Sequence, residues 1–171
     1  MLMIQTKKIG FTCSTFDLLH AGHVLMLEDA KRQCDYLIVG LQKDPTQEED
    51  LSYRLATGGK PKNAPVMSFA ERLILAEGNK YVDEIIAYET EADLYHILAT
   101  LTYDVRILGS DWEGKEYTGW DLPHTPYFHH RGDHSYSTSS LRQRVYEAEK
   151  ERLLELAFEG DPHRRVLVGS R

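Results

Sequence analysis

The sequence predicts an α/β fold: a doubly wound parallel sheet of about five strands in three α/β/α layers. Three observations predict it. Apolar runs of strand length alternate with helical patterns along most of the chain, as expected of parallel strands joined by crossover helices. The run Tyr36-Leu37-Ile38-Val39-Gly40-Leu41 shows no polar alternation, as a strand buried on both faces requires. The stretches richest in His, Arg, Ser and Thr begin where predicted strands end, the edge at which such sheets bind ligands.

In chain order, Lys8 to Thr12 reads as the first strand, and Gly22 to Gln33 as a helix with Val24, Leu27 and Ala30 on one face. Tyr36 to Leu41 is the second strand. Ser68-Phe69-Ala70-Glu71 is a capping box, in which Ser and Glu three apart satisfy each other's backbone N–H groups, and its helix runs to about Asn79. Val82 to Ala87 gives a third strand, Ala92 to Leu101 a helix, Val105 to Gly109 a fourth strand and Pro126 to His129 a short fifth. A last helix runs from about Ser139 to Phe158. Residues 1–158 are read as one domain, and 159–171 as a polar tail with basic His163-Arg164-Arg165, frayed or held by a partner. The connection from Gln42 to Val66 is long. Its Gly58-Gly59-Lys60-Pro61-Lys62 segment reads either as a mobile lid carrying lysine to phosphate or as a surface loop. No internal repeat is evident.

With 171 residues the chain is long enough for one continuous core. A net charge of −7 argues against a nucleic-acid partner, which needs a basic face, but leaves room for a small anion met by local cations. No apolar run approaches the roughly 20 residues needed to cross a bilayer, and no signal peptide is seen. Two cysteines, Cys13 and Cys34, make no disulfide framework, so a cytoplasmic setting is expected. Cys13 reads as a small residue at a strand end rather than a nucleophile.

His20-Ala21-Gly22-His23 is the most informative segment. Side chains three apart on a helix share a face, so both imidazoles can reach one point at the helix N-terminus. Unpaired N–H groups and partial positive charge at that end favour a phosphate. Gly22 removes a side chain where a ligand would approach the backbone. A pair of ordinary helix-start histidines is the bland alternative.

The surrounding residues weigh against it. Cys13-Ser14-Thr15-Phe16-Asp17-Leu18-Leu19-His20-Ala21-Gly22-His23 resembles the GTFDxxHxGH signature of the cytidylyltransferase-like nucleotidyltransferases, with Ser14 in place of the usual glycine. Three later segments follow in that family's order: Lys60-Pro61-Lys62 before Glu71-Arg72; Gly109-Ser110-Asp111-Trp112-Glu113-Gly114-Lys115, similar to GDDWxGK with Ser110 for an aspartate; and Arg131 to Ser139, similar to RTEGISTT but one residue longer. The likeness covers roughly positions 8 to 147 and is strongest to the glycerol-3-phosphate cytidylyltransferases.

The resemblance implies a Rossmann-like sheet and transfer of CMP from CTP to a phosphorylated alcohol, glycerol 3-phosphate first, with ethanolamine or choline phosphate, or adenylyl transfer, as alternatives. It implies catalytic roles for His20, His23, Lys62 and Arg131. Cys13, Ser14, Thr15, Phe16, Gly22, Lys60, Gly109, Asp111, Ser137 and Thr138 would line the nucleotide, and Arg72 and Trp112 the acceptor. Magnesium would be carried on the nucleotide phosphates rather than in a protein cage, so no protein metal ligand is expected. A homodimer is expected. Asp17 reads as a turn residue, since an ionised phosphate acceptor needs no base. His124, His129, His130 and His134 read as a loop touching phosphate or acceptor rather than as a zinc site.

Overall fold

Alternation along the central strands decides the layering. The computed structural model describes residues 7–46 and 63–159. Strands β1 (Ile9–Ser14), β2 (Tyr36–Gln42), β3 (Glu84–Tyr88), β4 (Val105–Gly109) and β5 (Thr125–His129) form one sheet in the order β3-β2-β1-β4-β5, and every pairing is parallel. Helices are α1 (Ala21–Arg32), α2 (Phe69–Glu77), α3 (Glu91–Thr100) and α4 (Thr138–Glu159). Leu37, Val39 and Leu41 pack on one face with Leu27 and Ala30 of α1 and with Phe69 and Leu73 of α2. Ile38 joins Phe11 and Tyr88 on the other face, where α3 delivers Leu94 and Leu98. The sheet is therefore sandwiched between helical layers, a three-layer Rossmann-like arrangement, with each buried aliphatic contributing about 1.5–3 kcal/mol.

Several boundaries move from the sequence expectation for local reasons. β1 extends to Ser14 because Ser14 pairs with Leu41. β3 begins at Glu84 rather than Val82, since the Asp83 carboxylate turns back to accept from Leu37 N–H at 2.6 Å and from Lys31 at 2.5 Å. α3 starts at Glu91 because Thr90 and Asp93 form a capping box. The expected box of Ser68 and Glu71 is present, with N–H···O distances of 2.8 and 3.3 Å.

Strand order reverses at β1: the chain steps outward to β2 and β3, then returns to lay β4 against the other side of β1. Diverging connections leave a crevice beyond the strand ends at such a switch point. Phe11 pairs with Arg106 and Gly109 with His129, so counting on along β1 and β4 sets Ser14, Gly109 and His129 at one edge.

The chain divides at His134/Ser135 into two compact units, the second containing α4. Among the described residues, no helix is long and apolar enough to cross a membrane. Lys60, Lys62 and all but the first residue of the expected tail at 159–171 lie outside the described residues.

Candidate active site

The loop from β1 to α1 is built under strain and held from beneath. Phe16 and Leu18 both take a left-handed backbone with φ of 49°. That conformation costs a side-chain-bearing residue on the order of 1–3 kcal/mol and persists only where the surroundings impose it. Here Phe16 is buried in the α1-side core. The Asp17 carboxylate, also buried, accepts from the N–H groups of Val66 and Met67, both at 3.0 Å. Asp17 thus fixes the lead-in to α2, in keeping with a turn residue.

Arg72 corrects the sequence expectation. Expected at the acceptor phosphate, it is instead 2% exposed, and its guanidinium meets main-chain carbonyls. It donates to Thr15 O and Gln42 O at 2.7 Å each, to Met67 O at 3.3 Å, and to Lys43 O. One side chain thereby ties the site loop, the end of β2 and the start of α2 together. Burial lowers its affinity for a proton while Asp17 and Asp44 oppose that effect. The signal was present in the sequence: Phe69, Arg72, Leu73 and Ala76 share one helical stripe, and an arginine on an apolar stripe is placed to be buried.

His20 is the N-cap of α1, and its Nδ1 accepts from Gly22 N–H at 3.1 Å. The neutral ring must then carry its proton on Nε2. Gly22, expected to offer bare backbone to a ligand, gives its N–H to this cap. His23, three residues on, stacks against His20 with ring centres 3.9 Å apart and planes 20° apart, and its ring meets the edge of Phe16 at 5.2 Å. Burial pushes the His23 ring down to about 4, helped by His20 and Arg131 and opposed by Asp17. Burial, Arg131 and His134 also hold His20 below its usual value. Both imidazoles are therefore neutral at pH 7. They serve as hydrogen-bonding groups, while positive charge at this end comes from Arg131 and the helix terminus.

Cys13 and Ser14 end β1 and Thr15 follows it, all three partly buried. Across the switch point, Gly109 ends β4 and leads into a 3₁₀ turn, Ser110–Trp112. A Cβ at Gly109 would collide with the Asp111 carboxylate, so glycine lets that carboxylate fold back over the strand end. Asp111 and Trp112 are exposed. Ser137 and Thr138 belong to the second unit, where the Ser137 hydroxyl accepts from Ser140 N–H at 3.1 Å at the start of α4.

The four later histidines do not act together. His134 lies within electrostatic reach of His20. His129 bonds Asp29 of α1 at 2.7 Å, and the same carboxylate oxygen accepts from Tyr127. His124 sits between Tyr117 and Tyr103. His130 is exposed, 4.0 Å from Glu113. The expectation that this cluster lines one phosphate site thus fails for His124 and His129, which are taken up by tyrosine and aspartate contacts.

The family model described as Cytidylyltransferase-like matches residues 11–144. The chain is 38% identical over 116 residues to the bifunctional protein HldE of Wolinella succinogenes, covering 68% of this chain and 22% of that protein. It is 32% identical over 144 residues to HldE of Campylobacter curvus, covering 84% and 28%. It is also 34% identical over 111 residues to glycerol-3-phosphate cytidylyltransferase of Bacillus subtilis, covering 64% of this chain and 75% of that protein. The match thus spans about a quarter of the length of the HldE proteins.

Proposed function

The chain belongs to the cytidylyltransferase-like family, and from that premise we propose that it transfers CMP from CTP to glycerol 3-phosphate, giving CDP-glycerol and pyrophosphate. The observation that carries the reading is the neutral His20–His23 stack at the N-terminus of α1, at the sheet's switch point. A phosphate oxygen of the acceptor attacks the α-phosphorus in line. The new P–O bond forms as the bond to the β-phosphate oxygen breaks, and pyrophosphate leaves with the electron pair. Such a reaction asks the protein for alignment and for charge stabilisation on the equatorial oxygens.

His20, with its proton on Nε2, and His23 donate hydrogen bonds to triphosphate oxygens, and neutral rings do so without proton transfer. Arg131 supplies charge beside them. Thr15, placed by the grip of Arg72 on its carbonyl, offers its N–H and hydroxyl. Gly109 and Asp111 border the nucleoside, and Trp112 presents an aromatic face to base or acceptor. Lys60 and Lys62 are proposed to neutralise the α- and β-phosphates, and Ser137 with Thr138 the outer phosphates. Magnesium is proposed to ride on the nucleotide phosphates rather than in a protein cage. Magnesium so bound supplies charge neutralisation on the phosphates. The working unit is proposed to be a homodimer.

A second reading keeps the same chemistry with a different phosphorylated acceptor or with ATP in place of CTP; matches to both HldE proteins and a glycerol-3-phosphate cytidylyltransferase support the reaction class rather than one acceptor. Pyrophosphate release, measured for the four nucleoside triphosphates against glycerol 3-phosphate, phosphoethanolamine and phosphocholine, tests both. The proposal expects release with CTP and glycerol 3-phosphate. Release only with ATP moves the assignment to the second reading, and release with no combination overturns both.

A further inference from the structure

Arg106 is the least expected cation in the molecule. It sits in the middle of β4 and is 3% exposed, yet among the described residues no carboxylate contacts it and its Nε has no hydrogen-bond partner. A buried guanidinium without a counter-anion is costly, so such groups are normally paired. Two of its contacts, to Phe11 O and Ile107 O, are long at 3.4 Å. Its shortest is to a sulfur: an NH2 nitrogen donates to Cys13 Sγ at 3.1 Å. The Tyr88 phenol, held protonated by burial, lies near Cys13 across Gly40, where negative charge on the sulfur holds its proton more tightly. Gly40 makes room for this packing, since a Cβ there would press on Cys13 and on the rings of Phe11 and Tyr88.

We propose that Cys13 is a site of covalent modification by soft electrophiles and peroxides, with Arg106 and Tyr88 stabilising negative charge on its sulfur as it attacks. Cys13 is partly exposed at the edge where β1 enters the candidate site. With a peroxide, the sulfur forms an S–O bond as the O–O bond breaks. The thiol is oxidised to a sulfenic acid, and hydrogen peroxide is reduced to water. With iodoacetamide, an S–C bond forms, iodide leaves and the thiol proton passes to solvent. Cys34 is the built-in comparison. It too is partly exposed, but its thiol donates to Ala30 O at 3.4 Å, and burial pushes it up, away from the reactive thiolate. That modification also blocks the nucleotide rests on the proposed function, whereas the labelling itself does not.

The test is the labelling rate of each cysteine in the full-length protein, with limiting iodoacetamide and separately with hydrogen peroxide plus a sulfenic-acid trap, read by peptide mass spectrometry. The native protein should label Cys13 at least about tenfold faster than Cys34, the ratio falling towards one in denaturant, as expected when the microenvironment sets reactivity. Arg106→Met should remove most of that preference, and Tyr88→Phe, which deletes only a hydroxyl, should reduce it. Native labelling of Cys13 no faster than Cys34, or an undiminished preference in both folded variants, overturns the proposal. If Arg106→Met does not fold, the native ratio and Tyr88→Phe decide.

Discussion

Replacing Arg72 by alanine separates two accounts of the same residue. A side chain at the acceptor phosphate would, when removed, raise KM and leave stability nearly unchanged. The structure instead gives its guanidinium four backbone carbonyls, those of Thr15, Gln42, Lys43 and Met67. Hydrogen bonds from a charged donor contribute about 1.5–3 kcal/mol each, although the arginine's own desolvation and water entering the truncated site offset part of the sum. Leaving buried carbonyls without their donor costs about 1–3 kcal/mol each, so with that offset a loss of about 3–5 kcal/mol is the figure to expect here. For a protein of this size it corresponds to a fall in Tm of roughly 6–20 °C. Released from Arg72, the Thr15 carbonyl lets the strained turn at Phe16 and Leu18 relax, so kcat falls as well. Arg72→Lys keeps the charge but loses the planar fork, and should recover only part of the stability. Urea titration and thermal melts, run beside steady-state kinetics, read both effects. An Arg72→Ala protein melting within about 2 °C of the parent, with its defect confined to KM, would refute the positioning role.

Other outcomes follow from the same geometry. His20→Ala and His23→Ala, checked for folding by circular dichroism, should each lower turnover by about 100-fold or more, as for loss of one preorganised donor. The depressed His23 pKa, about 4 against 6.5 for the free side chain, means the unfolded chain binds its proton first as pH falls. Stability linked to His23 is complete above pH 6.5 and is lost as pH drops through about 4. Between pH 7.5 and pH 4, urea unfolding should therefore show the parent losing on the order of 2–3 kcal/mol more than His23→Gln; equal losses would contradict it. Asp17→Asn keeps an acceptor for Val66 and Met67, so activity should stay within about tenfold of the parent, whereas loss of a general base would cost about 100-fold or more.

The sheet was legible because strands buried on both faces read as unbroken apolar runs, and Tyr36 to Leu41 is such a run. Capping chemistry made the α2 start legible through Ser68 and Glu71. The equivalent Thr90–Asp93 box was missed at α3, which cost one residue of register. At the site, the spacing of His20 and His23 revealed that the rings share a face. It could not reveal that both are neutral, because that depends on burial and on Arg131, more than a hundred residues away in sequence. Arg72 and Arg106 mark the same limit. The stripe of Phe69, Leu73 and Ala76 places Arg72 to be buried, but only tertiary contact shows it gripping carbonyls and Arg106 lodged against a thiol. The histidines from His124 to His134 suggested a cluster by proximity in sequence, but a strand end and a turn send them to different neighbours.

The most direct test is phosphorus NMR of a reaction containing CTP, magnesium and glycerol 3-phosphate, run in parallel with the parent and the His20→Ala/His23→Ala double variant. The account predicts that the parent converts the substrates to inorganic pyrophosphate and a nucleoside diphosphate diester in equal amounts, and that the folded double variant forms neither above background. A double variant that makes the diester at the parent's rate, or a parent that releases pyrophosphate without forming the diester, would contradict it.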